Sequence, residues 1–320
     1  MLGGLLGAVA LWSLSAGTTL YPIGTVLDAL FAGDASRDHL VIGTIRAPRL
    51  LAGMLAGSAL AVAGAIMQAV TGNPLASPGL LGLNAGAAFA VVLATAIAGA
   101  STGGAFVWPA FMGAAAASAV AYGLGSAGRT GATPLKIVLA GAVLSGFLGS
   151  LTAAVLVLDK GAMDTVRLWT AGSLAGRTMA QIWIVGPYIL LGLATSLFLG
   201  RSLTSLSLGA DAARALGQNV RLWRGVSVVT VVLLAGGAVA LVGPIGFIGL
   251  VVPHIVRMTV GSDQRWVIPF CALGGALLLT AADVASRTLL GQNFPAGVAM
   301  ALIGAPFFIQ LARRRVGPTP

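Results

Sequence analysis

Residues 47–70 read A-P-R-L-L-A-G-M-L-A-G-S-A-L-A-V-A-G-A-I-M-Q-A-V, and beyond Arg49 this stretch carries no charged side chain. A helix needs about 20 mostly apolar residues to cross the hydrocarbon core of a bilayer. The stretch is apolar on all sides rather than along one stripe, as expected of a helix enclosed by lipid or by other apolar helices. Gly53 and Gly57 lie four residues apart, a spacing that lets helix backbones approach closely in lipid. We therefore predict a transmembrane helix here.

Comparable apolar segments recur along the whole chain. Together they predict an all-α polytopic membrane protein of about ten transmembrane helices, in a single domain that spans residues 1–320. The segment at 245–260 is short and begins among glycines and prolines, so a partial span is predicted there. The ten predicted segments are 1–18, 47–70, 79–98, 105–124, 134–158, 180–200, 222–243, 245–260, 266–288 and 295–312.

The composition supports a membrane protein and argues against a nucleic-acid-binding one. Of the 320 residues 58% are hydrophobic and only 8% are charged, whereas soluble domains carry about 25% charged residues. The net charge is +10. Because the cations are scattered between long apolar runs, they form no basic groove for nucleic acid. Anionic lipid headgroups are the partner we predict for them.

The chain lacks the residues that an active site would need. It has one cysteine, Cys271, two histidines, His39 and His254, and no glutamate. No metal-ligand cluster, cofactor site or paired-carboxylate centre is predicted from so few candidates. The phosphate-binding pattern G-x-x-x-x-G-K-[ST] is also missing. We therefore predict a transport subunit rather than an enzyme, with any ATP hydrolysis on a separate subunit.

A weak internal repeat relates the two halves of the chain. Residues 78–83, P-G-L-L-G-L, resemble residues 245–250, I-G-F-I-G-L, and each follows a long apolar helix. Because the second and seventh helices run in opposite directions, helices 2–5 and 7–10 are predicted to form two inverted repeats. Inverted repeats with helices interrupted by glycine and proline are common in transporters.

The distribution of basic residues predicts the orientation in the membrane. Cytoplasmic loops carry an excess of lysine and arginine. With the N-terminus inside, eleven of the 18 basic residues fall on the cytoplasmic side, so both termini are predicted to be cytoplasmic. These residues are Arg129, Lys136, Arg201, Arg214, Arg221, Arg224, Arg257, Arg265, Arg313, Arg314 and Arg315.

Two polar motifs lie at the predicted outer ends of helices. Arg46 and Arg49 stand about one turn apart around Pro48, at the start of the second helix. They are expected either to reach the lipid headgroups or to pair with carboxylates on a docking protein. Asp283 and Arg287 stand four residues apart in the ninth segment, where an ion pair within the helix is expected.

Three further stretches interrupt the apolar pattern. Residues 68–79 contain two prolines and two glycines, which predicts either a cytoplasmic turn or irregular backbone enclosed by protein. Residues 206–217 predict a short helix closed by Gly217, which serves either as a plain connector or as a rigid element inserted into a motor subunit. In residues 243–257, a packed, hydrogen-bonded role is favoured for His254 over proton transport.

Together these motifs resemble the FecCD family of ABC importer permeases, which includes ferric-siderophore, haem and cobalamin permeases. The similar stretches follow the order and spacing of the family and cover nearly the whole chain. The segment N-P-L-A-S-P-G-L-L-G-L-N-A-G-A-A resembles the ferric-siderophore branch most. The stretches are R-A-P-R at 46–49, Q-A-V-T-G-N-P-L-A-S-P-G-L-L-G-L-N-A-G-A-A at 68–88, G-P-I-G-F-I-G-L-V-V-P-H-I-V-R at 243–257, A-D-V-A-S-R at 282–287 and I-G-A-P-F-F-I at 303–309.

The resemblance implies an assembly in the bacterial inner membrane. Two permease subunits, identical or different, would surround one pathway, two cytoplasmic ATPases would drive it, and a periplasmic or lipoprotein binding protein would deliver an iron chelate. Arg46, Arg49 and Arg287 match family positions that dock the binding protein, and Asn73 and Leu75 match a cytoplasmic gate. The coupling segment at 201–221 would contact the ATPases through Leu208, Gly209, Ala210, Asp211, Ala212, Ala213, Arg214, Ala215, Leu216 and Gly217.

Two alternatives to a ferric-siderophore permease remain open from the sequence. A haem or cobalamin importer would keep the same mechanism with another cargo. An ion-coupled secondary transporter would be a different class, and it would need intramembrane ionisable groups to couple cargo to ions. Only His254, Asp283 and a few flanking arginines qualify for that role.

Overall fold

The structure is a computed structural model of the whole chain. It describes residues 1–17, 19–32, 34, 36–100, 104–127, 133–291 and 294–315. Within these ranges, the side chains of residues 134, 160, 164, 165, 168 and 311–315 are not described. Arg129 and the side chains of Arg313–Arg315, which contributed to the predicted orientation, therefore lie outside the described part.

The described residues are almost entirely helical, and no strand occurs among them. A short 3₁₀ turn, Pro78–Leu81, precedes the fourth helix. The helices are α1 (Leu2–Ser15), α2 (Ile23–Phe31), α3 (Arg37–Thr71), α4 (Leu83–Ala98), α5 (Val107–Ser126), α6 (Pro134–Leu158), α7 (Lys160–Thr170), α8 (Met179–Ser207), α9 (Ala210–Ala215), α10 (Val220–Val242), α11 (Ile248–Val260), α12 (Gln264–Leu289) and α13 (Ala296–Arg315).

Each of the ten apolar segments predicted from the sequence coincides with one apolar helix. Six helices, namely α3, α5, α6, α8, α10 and α12, are long and apolar enough to cross a membrane, and four shorter apolar ones are α1, α4, α11 and α13. The all-α polytopic fold is confirmed. The remaining helices, α2, α7 and α9, fall in the polar stretches between the predicted segments.

Helix α3 begins ten residues earlier than predicted, at Arg37 rather than at residue 47. The sequence placed Pro48 in the first turn, where a missing N–H is harmless. In the structure a π turn at Ile42–Arg46 directly precedes Pro48. A proline inside a regular α-helix would clash with the carbonyl group one turn earlier. The wider π turn accommodates the ring, so the helix continues through it.

Helix α3 forms the centre of the bundle. It packs against α12, α8, α11 and α10, and 78% of its most apolar stretch is buried. Glycine makes these contacts possible, because a Cβ added at Gly57 would lie 2.2 Å from the carbonyl oxygen of Gly275 in α12. A Cβ at Gly64 would lie 2.1 Å from the carbonyl oxygen of Gly249 in α11. Because glycine has no side chain, the helix backbones contact each other directly here instead of packing through interdigitated side chains.

Helix α6 is the opposite case and lies at the periphery. Only 6% of its most apolar stretch is buried within the chain. Leu139, Val143 and Phe147 recur at helical spacing along its exposed face. A cavity of about 460 Å³ lies between this face and the end of α5, and it is lined by Leu124, Lys136, Leu139, Ala140, Val143, Leu144 and Phe147.

The two related stretches of sequence both precede a short apolar helix. Gly82 has a φ of 74° immediately before α4, and Phe247 has a φ of 68° immediately before α11. A left-handed backbone is natural for glycine and unfavourable for phenylalanine. The ring of Phe247 packs on Gly304 of α13, where a Cβ would lie 2.3 Å from the Phe247 Cβ. In the first stretch, residues 78–83, the helix begins at the sixth residue, Leu83. In the second stretch, residues 245–250, it begins at the fourth residue, Ile248.

Candidate functional sites at the two ends of the bundle

A buried ion pair joins α3 to α12 at one end of the bundle. The Nε of Arg49 donates to Oδ2 of Asp283 at 3.0 Å, and Nη2 donates to Oδ1 at 2.8 Å. Both side chains are buried. Such a two-pronged contact fits the planar guanidinium to the carboxylate and fixes the relative orientation of the two helices.

The other two arginines of this cluster hold α1 in place. Arg287 donates through Nη2 to the carbonyl oxygen of Ser13 at 2.6 Å and to its Oγ at 2.9 Å. Its Nε lies 3.6 Å from Oδ2 of Asp283. Arg46 donates to the carbonyl oxygens of Leu14, Ser15 and Thr19, each at 2.7 Å. The last carbonyl groups of a helix lack hydrogen-bond donors within the helix. Here the guanidinium groups of the two arginines act as these donors.

Tyr21 and Gly17 complete the surroundings of Arg46. The Cζ of Arg46 lies 4.5 Å from the centre of the Tyr21 ring, which is a cation–π distance. A Cβ on Gly17 would lie 2.5 Å from Nη2 of Arg46, so a larger residue there would require the guanidinium to shift. Arg46 therefore closes the turn between α1 and α2 while keeping its own charge against an aromatic face.

These arginines line an open cavity of about 670 Å³ at this end of the bundle. Its walls come from the α1–α2 turn, the first part of α3 and the end of α12. The three arginines predicted for docking, Arg46, Arg49 and Arg287, are thus brought together, although each is mostly buried and bonded within the chain. The lining residues are Thr19, Leu20, Tyr21, Pro22, Arg37, Asp38, Val41, Ile45, Arg46, Arg49 and Arg287.

The loop that holds Asn73 and Leu75 lies at the opposite end of α3. Gly72 ends the helix with a φ of 62°. Oδ1 of Asn73 accepts a hydrogen bond from the backbone N–H of Leu75 at 2.9 Å, and the carbonyl oxygen of Asn73 accepts one from Ala76 at 3.0 Å. Asn73 is exposed and Leu75 is half-buried. The asparagine side chain thus gives this predicted gate a defined turn.

The predicted coupling segment forms a short helix, α9, between α8 and α10. Gly209 and Gly217 flank it with φ values of 104° and 77°. Ala213 is buried against the bundle, whereas Leu208 and Leu216 are 68% and 65% exposed. Asp211 and Arg214 form an ion pair on the exposed face. Two exposed leucines beside a charged pair form a compact convex surface.

The sequence missed two contacts that the structure brings together. Asp283 was expected to pair with Arg287, but its closer partner is Arg49, 234 residues away. Gln68 and Arg257, which belong to separate motifs, share a hydrogen bond between α3 and α11. In each pair, both residues are polar side chains within otherwise apolar helices. Since such groups need a partner, the sequence could have suggested both contacts. His254 packs against the edge of the Phe307 ring, with centroids 5.8 Å apart.

Comparison with known proteins gives matches over nearly the full length. The profile of the FecCD transport family matches residues 5–314. The "Probable siderophore transport system permease protein YfiZ" of Bacillus subtilis (strain 168) is 42% identical over 290 residues, which cover 90% of this chain and 87% of that protein. The ferric enterobactin transport system permease protein FepD of Escherichia coli (strain K12) is 42% identical over 303 residues, with 95% and 91% covered.

A solved structure agrees with the fold as well. A metal-chelate type ABC transporter in an inward-facing conformation superimposes with a TM-score of 0.85 at 26% identity, covering 98% of this chain and 97% of that one. The family profile spans the helices that carry the arginine cluster and the loop at Asn73. This chain belongs to the FecCD transport family and is a transport permease rather than an enzyme.

Proposed function

We propose that this chain is the membrane-spanning permease of an ATP-driven, binding-protein-dependent importer of ferric siderophores in the bacterial inner membrane. The observation that carries the cargo assignment is the 42% identity to siderophore permeases over 90% or more of the chain. Haem and cobalamin are the alternative cargoes, because the wider family includes permeases for both.

Iron uptake into proteoliposomes tests this proposal. The vesicles would contain this chain, its candidate ATPase and a binding protein loaded with a radioactive ferric siderophore. We expect uptake that requires every component and ATP. Uptake of haem or cobalamin instead would replace the cargo and keep the mechanism. Transport by this chain alone, driven by an ion gradient, would overturn the proposal.

The cavity at the arginine cluster is the proposed docking site for the binding protein. Four arginines line it, and they face two carboxylates, Asp38 in the lining and Asp283 beside Arg49, so the cavity carries a surplus of positive charge. An acidic side chain that enters the cavity would find donors in the planar geometry that carboxylates prefer. Because Arg46, Arg49 and Arg287 also hold the fold together, replacing them would disturb docking and stability at once.

Arg37 separates these two effects. It is exposed and lines the same cavity. We expect Arg37→Glu to weaken the stimulation of ATP hydrolysis by the binding protein without changing thermal stability, because an added carboxylate repels an acidic partner. Arg167→Glu is the matched control, because Arg167 is an exposed arginine of α7 outside the lining of this cavity. Unchanged stimulation in Arg37→Glu would contradict docking at this cavity.

The segment 201–221 is the proposed contact with two cytoplasmic ATPase subunits. The exposed leucines Leu208 and Leu216 flank α9, which gives it an apolar edge suited to a groove on another protein. We expect Leu208→Asp to uncouple ATP hydrolysis from uptake. Normal uptake per ATP hydrolysed in this variant would contradict the assignment. In this arrangement α9 faces the cytoplasm. The loop of Asn73 and Leu75, which we propose as a gate, then lies on the cytoplasmic side, and both chain termini are cytoplasmic as well.

The exposed face of α6 is the proposed contact with a second permease subunit, identical or different. Helix α6 packs on α4 and α5, yet among the described residues only 6% of its most apolar stretch is buried, so most of this face is left for another apolar surface. The cavity beside it is apolar, so a bulky chelate could pass between two such faces without binding tightly, and a transported molecule must be able to leave. Cysteine cross-linking between Val143 positions of two subunits, on a Cys271→Ala background, would test this arrangement.

A further inference from the structure

Gln68 connects α3 to two points on α11. Its Nε2 donates to the carbonyl oxygen of Gly249 at 3.1 Å, in the first turn of α11. Its Oε1 accepts from Nη1 of Arg257, two turns further along the same helix. Gln68 is buried and lies five residues before Asn73. One amide thus uses both its donor and its acceptor to hold α11 against the last turns of α3.

The start of α11 also contacts the loop that follows α3. A Cβ on Gly249 would lie 2.8 Å from the carbonyl oxygen of Leu60 and 3.3 Å from Cδ of Pro78. Gly249 therefore lies between α3 and the far end of residues 72–78, which we call the gate loop. Gln68 lies just before this loop and Pro78 is its last residue, so α11 contacts both ends of the loop.

The other end of α11 is fixed to α8. Gly261 ends α11, and Asp263 follows in the short turn before α12. The hydroxyl of Thr204 donates to Oδ1 of Asp263 at 3.2 Å and accepts from the backbone N–H of Gln264 at 3.1 Å. Thr204 lies near the end of α8, four residues before Leu208.

Close backbone packing reinforces this second attachment. A Cβ on Gly200 in α8 would lie 3.2 Å from Cα of Arg265, at the start of α12. The carboxylate of Asp263 is bonded to Arg265 through Nε at 2.9 Å and Nη2 at 2.7 Å. The turn after α11 is therefore attached to the part of α8 from which the coupling segment leaves.

We infer that α11 is a mechanical link that transmits movement of the coupling segment to the gate loop, with Thr204, Asp263, Arg257 and Gln68 as its positioning residues. This inference rests on the proposed function, because it assigns a route between two sites proposed there. Thirteen residues of helix span about 20 Å. Because hydrogen bonds hold the start of α11 and the turn that follows it, we expect a displacement at Thr204 to reach Gly249 and the gate loop.

Hydrogen exchange in the nucleotide-free complex tests the link without requiring transport. Thr204→Val removes the hydroxyl that holds the turn at Asp263 and keeps the size of the side chain. We expect backbone amides of residues 72–77 to exchange at least about fivefold faster in Thr204→Val, the lower end of the range for coupled sites. A purely local role of Thr204 would leave those amides unchanged, and that result would overturn the inference.

A second measurement places Gln68 on the same route. Gln68→Leu should raise the number of ATP molecules hydrolysed per chelate imported by at least about fivefold, while stimulation by the binding protein persists. Gln68→Glu can still pair with Arg257, so it should restore part of the coupling. The double variant with Thr204→Val should be no worse than the more severe single one, because two breaks in one route do not add. Multiplying effects would contradict a single route.

Ser58→Ala is the matched control for both measurements. Ser58 lies in α3, as Gln68 does, and its Oγ donates to the carbonyl oxygen of Ala272 in α12 at 2.7 Å. The variant therefore removes an interhelical hydrogen bond of α3 that does not involve α11. We expect neither measurement to change in this variant, and an equal change would overturn the inference. If the wild-type complex imported nothing, the proposed function would fail, while the exchange result for Thr204→Val would still decide the link.

Discussion

Asp283 is the position at which a single substitution should destabilise this permease most. This residue is 2% exposed, and its carboxylate accepts hydrogen bonds from Nε and Nη2 of Arg49 and lies 3.6 Å from Nε of Arg287. Asp283→Asn keeps the shape of the side chain but removes its charge. Two buried guanidinium groups would then face a neutral amide that cannot balance either of them.

The size of the effect follows from the burial of this pair. Removing one partner of a buried ion pair costs about 3–5 kcal/mol, because the remaining charge is left uncompensated in a poorly polarisable surrounding. One kcal/mol corresponds to about 2–4 °C in the midpoint of thermal unfolding for a large domain. We therefore expect Asp283→Asn to lower the midpoint in detergent by about 10 °C.

The chain contains its own reporter for this measurement. Cys271 is the only cysteine and is fully buried in α12, twelve residues from Asp283. A fluorogenic thiol reagent will react with it only when the bundle opens. A well-packed apolar pair can replace a buried ion pair at little cost, so Arg49→Met combined with Asp283→Leu should recover part of the lost stability, while Arg287 would still lack its carboxylate partner. A midpoint for Asp283→Asn within about 2 °C of wild type would refute this reasoning.

Two further predictions concern packing and pH. Gly57→Val should separate α3 from α12 and cost more than about 3 kcal/mol, because its Cβ would collide with the backbone of Gly275; Gly43→Ala, which meets nothing within 4 Å, is the control, and both are read from the unfolding midpoint. Hydrogen bonds from Arg265 lower the pKa of Asp263 from 3.8 to about 2. Its stabilising effect is therefore complete above about pH 4 and is lost as pH falls towards 2. The difference in unfolding midpoint between wild type and Asp263→Asn should be constant from about pH 5 to 8 and should shrink below about pH 4. A difference that instead grew on acidification would contradict the lowered pKa of Asp263.

The transmembrane helices could be predicted from the sequence because the bilayer imposes both their length and their composition. An uncharged run such as residues 50–67 has few alternatives to a buried helix. The break at Gly72 was also visible, since glycine and proline end helices in recognisable patterns. The break at Gly82 was not, because the predicted segment 79–98 ran through this left-handed glycine. The start of α3 was not, because the sequence shows that Pro48 interrupts hydrogen bonding but not that a π turn compensates for it.

The candidate sites were only partly predictable for a related reason. Local spacing shows that Asp283 can reach Arg287 within one helix, and it carries no information about Arg49 on another helix. Long-range partners are chosen by helix packing, which here depends on contacts such as that between Gly57 and Gly275. The burial of Arg46, Arg49 and Arg287, the arginines predicted for docking, follows from the same packing.

The placement of charge within the bundle bears on the source of energy for transport. Between Arg49 and Gln68 the central helix carries no ionisable residue, a distance of about 28 Å along its axis. Within the described residues, Asp283 is neutralised beside Arg49 at one end and Arg257 is bonded to Gln68 at the other. Secondary transporters place ionisable groups near the middle of the membrane to couple cargo to an ion gradient. Charges only near the two ends of this helix favour an energy input from another subunit, so we expect ATP-driven uptake to persist when a protonophore collapses the proton gradient. Its loss would restore the secondary transporter as the better explanation.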